Sequence, residues 1–264
     1  MKTEQIIKKQ ARGAMRGNMS KLIAAAGLAS LVLLLLEYLE YLEYLVLYIG
    51  NAVNLDTGEV KDGYTVFYLL TVSSFAAAVL FASPLLNGFL RMSADTAIKK
   101  ECRSVDVFYY FKGGRLYFKT ILFNLVLYLM YASASSALNL SGILSWLLPD
   151  IFAAEMSLRI ESVLTVFVSI VTVILRIIVF LIFAYYPLLA YAIKGDMRIS
   201  CIFKMLGFSI KHFSQAFRLT LSFAGWFALC FFVVPVIYVA PYFAVSSAMS
   251  ARWLLELDGS GREV

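Results

Sequence analysis

Apolar residues fall in six long stretches, at roughly 22–48, 64–89, 119–147, 162–193, 218–234 and 236–256, each long enough to carry a helix across a hydrocarbon core of about 30 Å. Three shorter segments follow a different rhythm. Over 199–217, with Ser200 as zero and about 100° per residue, Lys204, Lys211, Gln215 and Arg218 cluster within about 60° of Ser200. Ile199, Ile202, Phe203, Leu206, Ile210, Phe213 and Phe217 share the opposite arc, and only Phe208 lies on the wrong side. This spacing predicts a helix lying flat at a membrane surface before the chain turns inward. Segments 4–20 and 104–118 read the same way. The expected fold is an all-α polytopic membrane helical bundle in one domain, with six transmembrane helices as three hairpins, each preceded by a basic amphipathic interfacial helix. The fifth stretch is the shortest and is parted from the sixth mainly by Pro235, so a re-entrant pair is the competing arrangement there.

Composition agrees with a membrane bundle. Of 264 residues, 61% are hydrophobic and 15% charged, with a mean hydropathy of +0.81, and no segment is polar enough to form a separate globular domain. The N-terminus opens like a signal peptide, but its apolar run far exceeds an h-region, which predicts a retained first span. The net charge of +6 is not gathered into one aromatic-studded patch, so it does not point to nucleic acid. It sorts by side instead. Of 23 Lys and Arg, 20 fall before the first stretch, between the second and third, between the fourth and fifth, after the sixth, or at the adjoining stretch ends as Lys119, Arg218 and Arg252. The opposite loops keep Lys61 and Arg159 among six acids, Asp56, Glu59, Asp62, Asp150, Glu155 and Glu161. The positive-inside rule then puts both termini in the cytoplasm, and the basic faces favour anionic head groups of the cytoplasmic leaflet.

A repeat runs beneath this arrangement. Lys21, Lys119 and Arg218 stand where each amphipathic segment meets its outward span, 98 and 99 residues apart. Each returning span carries one helix-breaking proline, Pro84, Pro187 or Pro241, while Pro149 and Pro235 fall at outer turns. Three hairpins of one orientation imply parallel repeats about the membrane normal.

The run Lys204-Met-Leu-Gly-Phe-Ser-Ile-Lys211-His212, followed by Gly225-Trp226 and Ala240-Pro241-Tyr242, resembles the C-terminal signature of the DUF975 family, bacterial multi-pass membrane proteins of unknown function. Pro84-Leu-Leu-Asn-Gly88, Ala184-Tyr185-Tyr-Pro187 and the opening Ile7 to Asn18 are similar to that family's other patterns. The resemblance implies a bacterial plasma membrane and transfers no catalytic residue. It does not extend to the Glu-Tyr-Leu triplets of the first stretch.

Those triplets and one arginine are the charged features inside the spans. Glu37, Glu40 and Glu43 at intervals of three make a slanted stripe among Tyr38, Tyr41 and Tyr44. The stripe belongs either to the outer interface and its aromatic belt or, for Glu37 and Glu40, to an internal polar site. Arg176 lies mid-span, where a charge is expected to turn into the bundle, toward Glu37, Asn124, Asn139 or backbone carbonyls. Small-residue runs at 73–78, 132–137 and 246–251 read as packing faces. A single histidine, His212, and three scattered cysteines, Cys102, Cys201 and Cys230, make neither a metal site nor a disulfide framework. Lys112-Gly-Gly-Arg115 reads as a helix break. No enzyme signature or cofactor motif is present, and three functions stay open: envelope organisation or stress protection through lipid contact, transport of a small solute or lipid, and service as an accessory subunit to an unknown partner enzyme. Homo-oligomers are compatible with all three.

Overall fold

The computed structural model describes residues 3–49, 72–138, 158–185, 199–230 and 235–258. Among these it is about 91% helical with no strand. Nine helices are used below: α1 (Thr3–Met15), α2 (Met19–Ile49), α3 (Val72–Ala97), α4 (Gly114–Ala137), α5 (Leu158–Phe180), α6 (Ile199–Lys211), α7 (Phe213–Ser222), α8 (Ala224–Leu229) and α9 (Val236–Leu257). A 3-10 helix, Ser104–Phe111, lies between α3 and α4.

Four segments are long and apolar enough to cross a membrane: Met19–Leu36, Val72–Ala97, Gly114–Ala137 and Val166–Phe183. Their apolar side chains stay largely uncovered. Val166, Phe167, Ile170, Val173, Ile174 and Ile177 form an exposed stripe along α5, and Leu31, Leu34 and Leu35 do so on α2. Faces this apolar and this extensive require hydrocarbon as their solvent.

The segments expected as interfacial helices have different bounds. The first ends at Met15, and a turn over Arg16–Asn18 starts α2 before residue 20. The second is only the 3-10 helix; the chain breaks at Lys112 and Gly113, as the glycine pair predicts, and residues from Gly114 onward belong to α4. The third breaks at His212 into α6 and α7. The apolar stripes also meet protein. Ile7, Ala11 and Met15 of α1 are buried in a core shared with α9 and α3, while Ile202, Met205 and Leu206 of α6 pack with Phe123, Leu127 and Leu255. Phe208, the residue out of phase, packs partly buried against two clusters.

The fifth and sixth expected spans also change form. The described part of the fifth stretch, residues 218–230, is divided between α7 and the six-residue α8, and α9 is largely enclosed. Ala244, Ser246, Ser247, Ala248, Ser250 and Ala251 are all buried, since small side chains let α1, α2 and α3 approach the α9 backbone closely. The runs at 73–78 and 132–137 are not covered in this way.

Two π-helical turns each precede a proline in the sequence. In α3 a π-helical turn, Ala78–Ala82, comes two residues before the buried Pro84; after α5 another, Leu181–Tyr185, stands two residues before Pro187, which lies outside the described residues. Proline cannot donate to the carbonyl four residues back, and a widened turn relieves the ring's clash. For Pro84 that carbonyl is Leu80, which accepts a hydrogen bond of 3.0 Å from the Tyr117 hydroxyl on α4. Pro241 sits within continuous helix.

Beyond Pro84, α3 runs eight residues past its expected end because its inner part has protein to pack on. Gly88 meets the 3-10 helix so closely that a Cβ there would lie 1.8 Å from the Val107 carbonyl oxygen. Lys99 closes α3 at φ 58°, with Lys99 N–H donating to Thr96 O and Lys100 N–H to Asp95 O, the Schellman pattern without its usual glycine. Gly88→Ala forces backbone apart at this contact, and an overpacking cost of about 1–3 kcal/mol follows. Thermal unfolding in detergent is expected to show a lowered midpoint for Gly88→Ala, while Gly207→Ala, where nothing stands within 4 Å of an added Cβ, is expected to leave it unchanged or raised.

Candidate functional site: a cationic platform at the basic end

The basic loops and the packed core occupy the same end of the bundle. Buried Asn18, at the α1–α2 corner, donates to the Lys100 carbonyl at 3.1 Å and accepts from the Cys102 N–H at 3.3 Å. One amide thereby ties the corner to the loop after α3. The Cys102 thiol is buried beside Thr96, and burial pushes its pKa up, which makes it an unreactive packing group.

Two cation–aromatic clusters flank this corner. In the first, the Lys8 ammonium of α1 donates to the Ser222 carbonyl at 2.6 Å and sits 4.1 Å from the Phe223 ring centroid. A cation at the C-terminal end of α7 satisfies both an open carbonyl and the negative end of the helix dipole. Burial, with Arg12 next in importance, lowers the Lys8 pKa. Arg12 Nε donates to the Tyr242 hydroxyl at 3.0 Å, and the Tyr242 ring lies 4.9 Å from Phe223 and 6.1 Å from Trp226. The first and last described helices therefore meet through two cations and an aromatic group of α7, α8 and α9. In the second cluster Arg91 stacks 3.7 Å from the Tyr109 ring centroid and lies 4.0 Å from Asp95, which Lys100 approaches to 3.7 Å.

A third link closes the far end of α9. Asp258 accepts from Lys211 at 2.8 Å and contacts His212 Nε2 at 3.1 Å, and Phe208 lies 4.7 Å from the His212 ring. Lys211 and then His212 hold the Asp258 pKa down.

The residues singled out from sequence are scattered by this geometry. Lys204 and Lys119 are exposed on α6 and α4, Lys21 is half-buried at the start of α2, and Lys211 is committed to Asp258. Arg218 lines an open cleft of about 630 Å³ with Thr3, Glu4, Gln5, Leu221 and Ser222. Arg176 is exposed on α5, which corrects the expectation that it turns into the bundle. The side chains of Glu37 and Glu40 lie outside the described residues, and with them any pairing to Arg176. Lys8, Arg12 and Asn18 escaped the sequence reading as individual contributors, because their partners stand 82 to 234 residues away.

Beside α1 a second cleft, of about 740 Å³, is lined by Gln5, Lys8, Lys9, Arg12, Gly13 and Arg16. A third, of about 730 Å³, runs between α1 and α9 past Ile6, Gln10, Met249 and Trp253. Among the described residues no group of three His, Cys, Asp or Glu is placed to hold a metal ion. No family model, curated protein or solved structure matches the chain.

The Asp258 link carries a pH signature. A carboxylate whose folded pKa is depressed contributes stability above its unfolded value of about 3.9, and that contribution disappears as pH falls through the folded value. The difference in melting temperature between the unmodified chain and Asp258→Asn, followed by tryptophan fluorescence, is therefore expected to be positive at neutral pH and to narrow below about pH 4. A difference that holds constant into that range excludes the carboxylate as its source.

Proposed function

We propose that this chain is a non-enzymatic multi-pass protein of a bacterial plasma membrane, resembling the DUF975 proteins, that organises or protects the envelope by holding a cationic platform against the inner leaflet. The observation that carries this reading is the clamp of α1 over α9. It fixes Lys8 and Arg12 in place and leaves Lys9, Arg16 and Arg218 exposed beside them, a fixed basic surface of the kind that attracts anionic lipid. The transport reading has less support, because the one mid-span arginine faces outward. Reconstituted into vesicles of phosphatidylcholine and phosphatidylglycerol, the protein is expected to slow lateral diffusion of the anionic lipid without raising permeability to protons, potassium or chloride above that of empty vesicles. Protein-dependent flux in that assay favours the transporter, and a soluble protein that co-purifies in fixed ratio favours the accessory subunit.

The topology that fits this platform has four crossings and a half-deep hairpin, both termini being cytoplasmic. Lys8 fixes the end of α7 and Arg12 fixes Tyr242 at the level of α1. From Ser222 to Cys230 a helix rises about 12 Å, and from Tyr242 back to Pro235 about 10 Å. A four-residue link adds at most about 7 Å of depth. The total stays below 20 Å, short of a core of about 30 Å. A cysteine introduced at Ile237 is therefore expected to resist a membrane-impermeant maleimide added outside intact cells, while one at Asp56 reacts, each compared with the unmodified chain. Equal labelling of the two positions restores six full crossings.

A further inference from the structure

Several cations of the basic end find acids: Arg91 and Lys100 approach Asp95, Lys211 binds Asp258, and Arg252 binds Glu256 at 2.8 Å. The cleft beside α1 instead gathers four cations in one place. Among the described residues no carboxylate pairs with Lys8, Lys9, Arg12, Arg16 or Arg218. Glu4, on the wall of the adjoining cleft, makes no ion pair either. Positive charge gathered without internal compensation creates a field that a mobile anion can relieve.

Two of these cations are held rather than free to splay apart. Lys8 is anchored on the Ser222 carbonyl and over Phe223, and Arg12 spends only Nε on Tyr242. The other guanidinium N–H groups stay available in the forked geometry that suits a phosphate. Lys9 stands three residues before Arg12 on α1 and Arg16 four residues after it, in the turn that follows, and both are exposed. The cleft adjoins the one lined by Arg218, since Gln5 belongs to both.

We propose that the cleft beside α1 forms a binding site for the phosphate of an anionic phospholipid headgroup, with Arg12, Lys9 and Arg16 as its ligands. The choice of a lipid over a free phosphate rests on the rim. Leu221, 61% exposed, lines the adjoining cleft and offers acyl chains a surface where a soluble anion has no use for one. The site deepens the platform reading and rests on it, turning a general attraction for anionic lipid into a defined stoichiometric position.

The test uses the full chain in nanodiscs of equimolar phosphatidylcholine and phosphatidylglycerol, with retained phosphatidylglycerol counted by native mass spectrometry after gentle release. Lys9→Gln/Arg16→Gln is compared with Lys119→Gln/Lys204→Gln, which removes the same charge from exposed positions elsewhere on the basic end. About a tenfold loss of retained lipid is expected for the first pair, little for the second, and recovery for Lys9→Arg/Arg16→Lys. Thermal unfolding of all variants is expected to match that of the unmodified chain, since neither Lys9 nor Arg16 touches the core. Equal losses in both double variants overturn the site in favour of diffuse surface charge. Displacement of the lipid by inorganic phosphate at constant ionic strength overturns its assignment to a lipid. Failure of this site with vesicles that stay impermeable leaves the platform standing, whereas flux through vesicles overturns the platform and not the retained lipid.

Discussion

The contact between Arg12 and Tyr242 is the interaction on which the basic end depends. It joins residues 230 apart and brings α1 down onto α9. The Tyr242 ring then packs on Phe223, and Phe223 in turn lies under Lys8. Charge, hydrogen bond and ring stacking reinforce one another here because the site is partly withdrawn from water, where cation–π contacts strengthen. With α1 in place, the stripe of Ile7, Ala11 and Met15 closes the core over α9. The basic face that remains is consequently rigid.

Packing is distributed unequally along the bundle. Leu22, Ala25, Ala26 and Ala29 of α2 are buried at helical spacing, yet farther along the same helix Leu31, Leu34, Leu35, Tyr38, Tyr41 and Leu45 are exposed. In water that exposure would be costly; in hydrocarbon it is neutral, because lipid tails are as apolar as the side chains. Helix association there must come from small residues, specific hydrogen bonds and close backbone contact. The buried alanines and serines of α9, the Tyr117 bond to Leu80 and the contact of Gly88 with Val107 supply these three.

The two π-helical turns show how one local rule yields a shared form. Each stands two residues before a proline in the sequence, Pro84 and Pro187. A third does not follow. Pro241 lies in unbroken helix, and its partner segment is split into α7 and α8.

Much of the helical architecture was legible from sequence, and for a simple reason. The existence of long apolar helices, the break at Lys112-Gly113, the strain before Pro84 and the packing role of residues 246–251 follow from interactions within a few residues, or from a side chain's affinity for hydrocarbon. Those quantities are written in order along the chain. Amphipathic stripes are also written there, but a stripe does not say whether lipid or protein will cover it. The same Ile, Ala and Met spacing on α1 satisfies either solvent, and only the approach of α9 decided for protein. Arg176 is the same lesson reversed: its position in an apolar run suggested burial, and the rotation of α5 exposed it. Which cations are neutralised by acids and which are left uncompensated was likewise decided by tertiary structure, since Lys8, Arg12 and Asn18 take their meaning from groups brought beside them only when the ends of the chain meet.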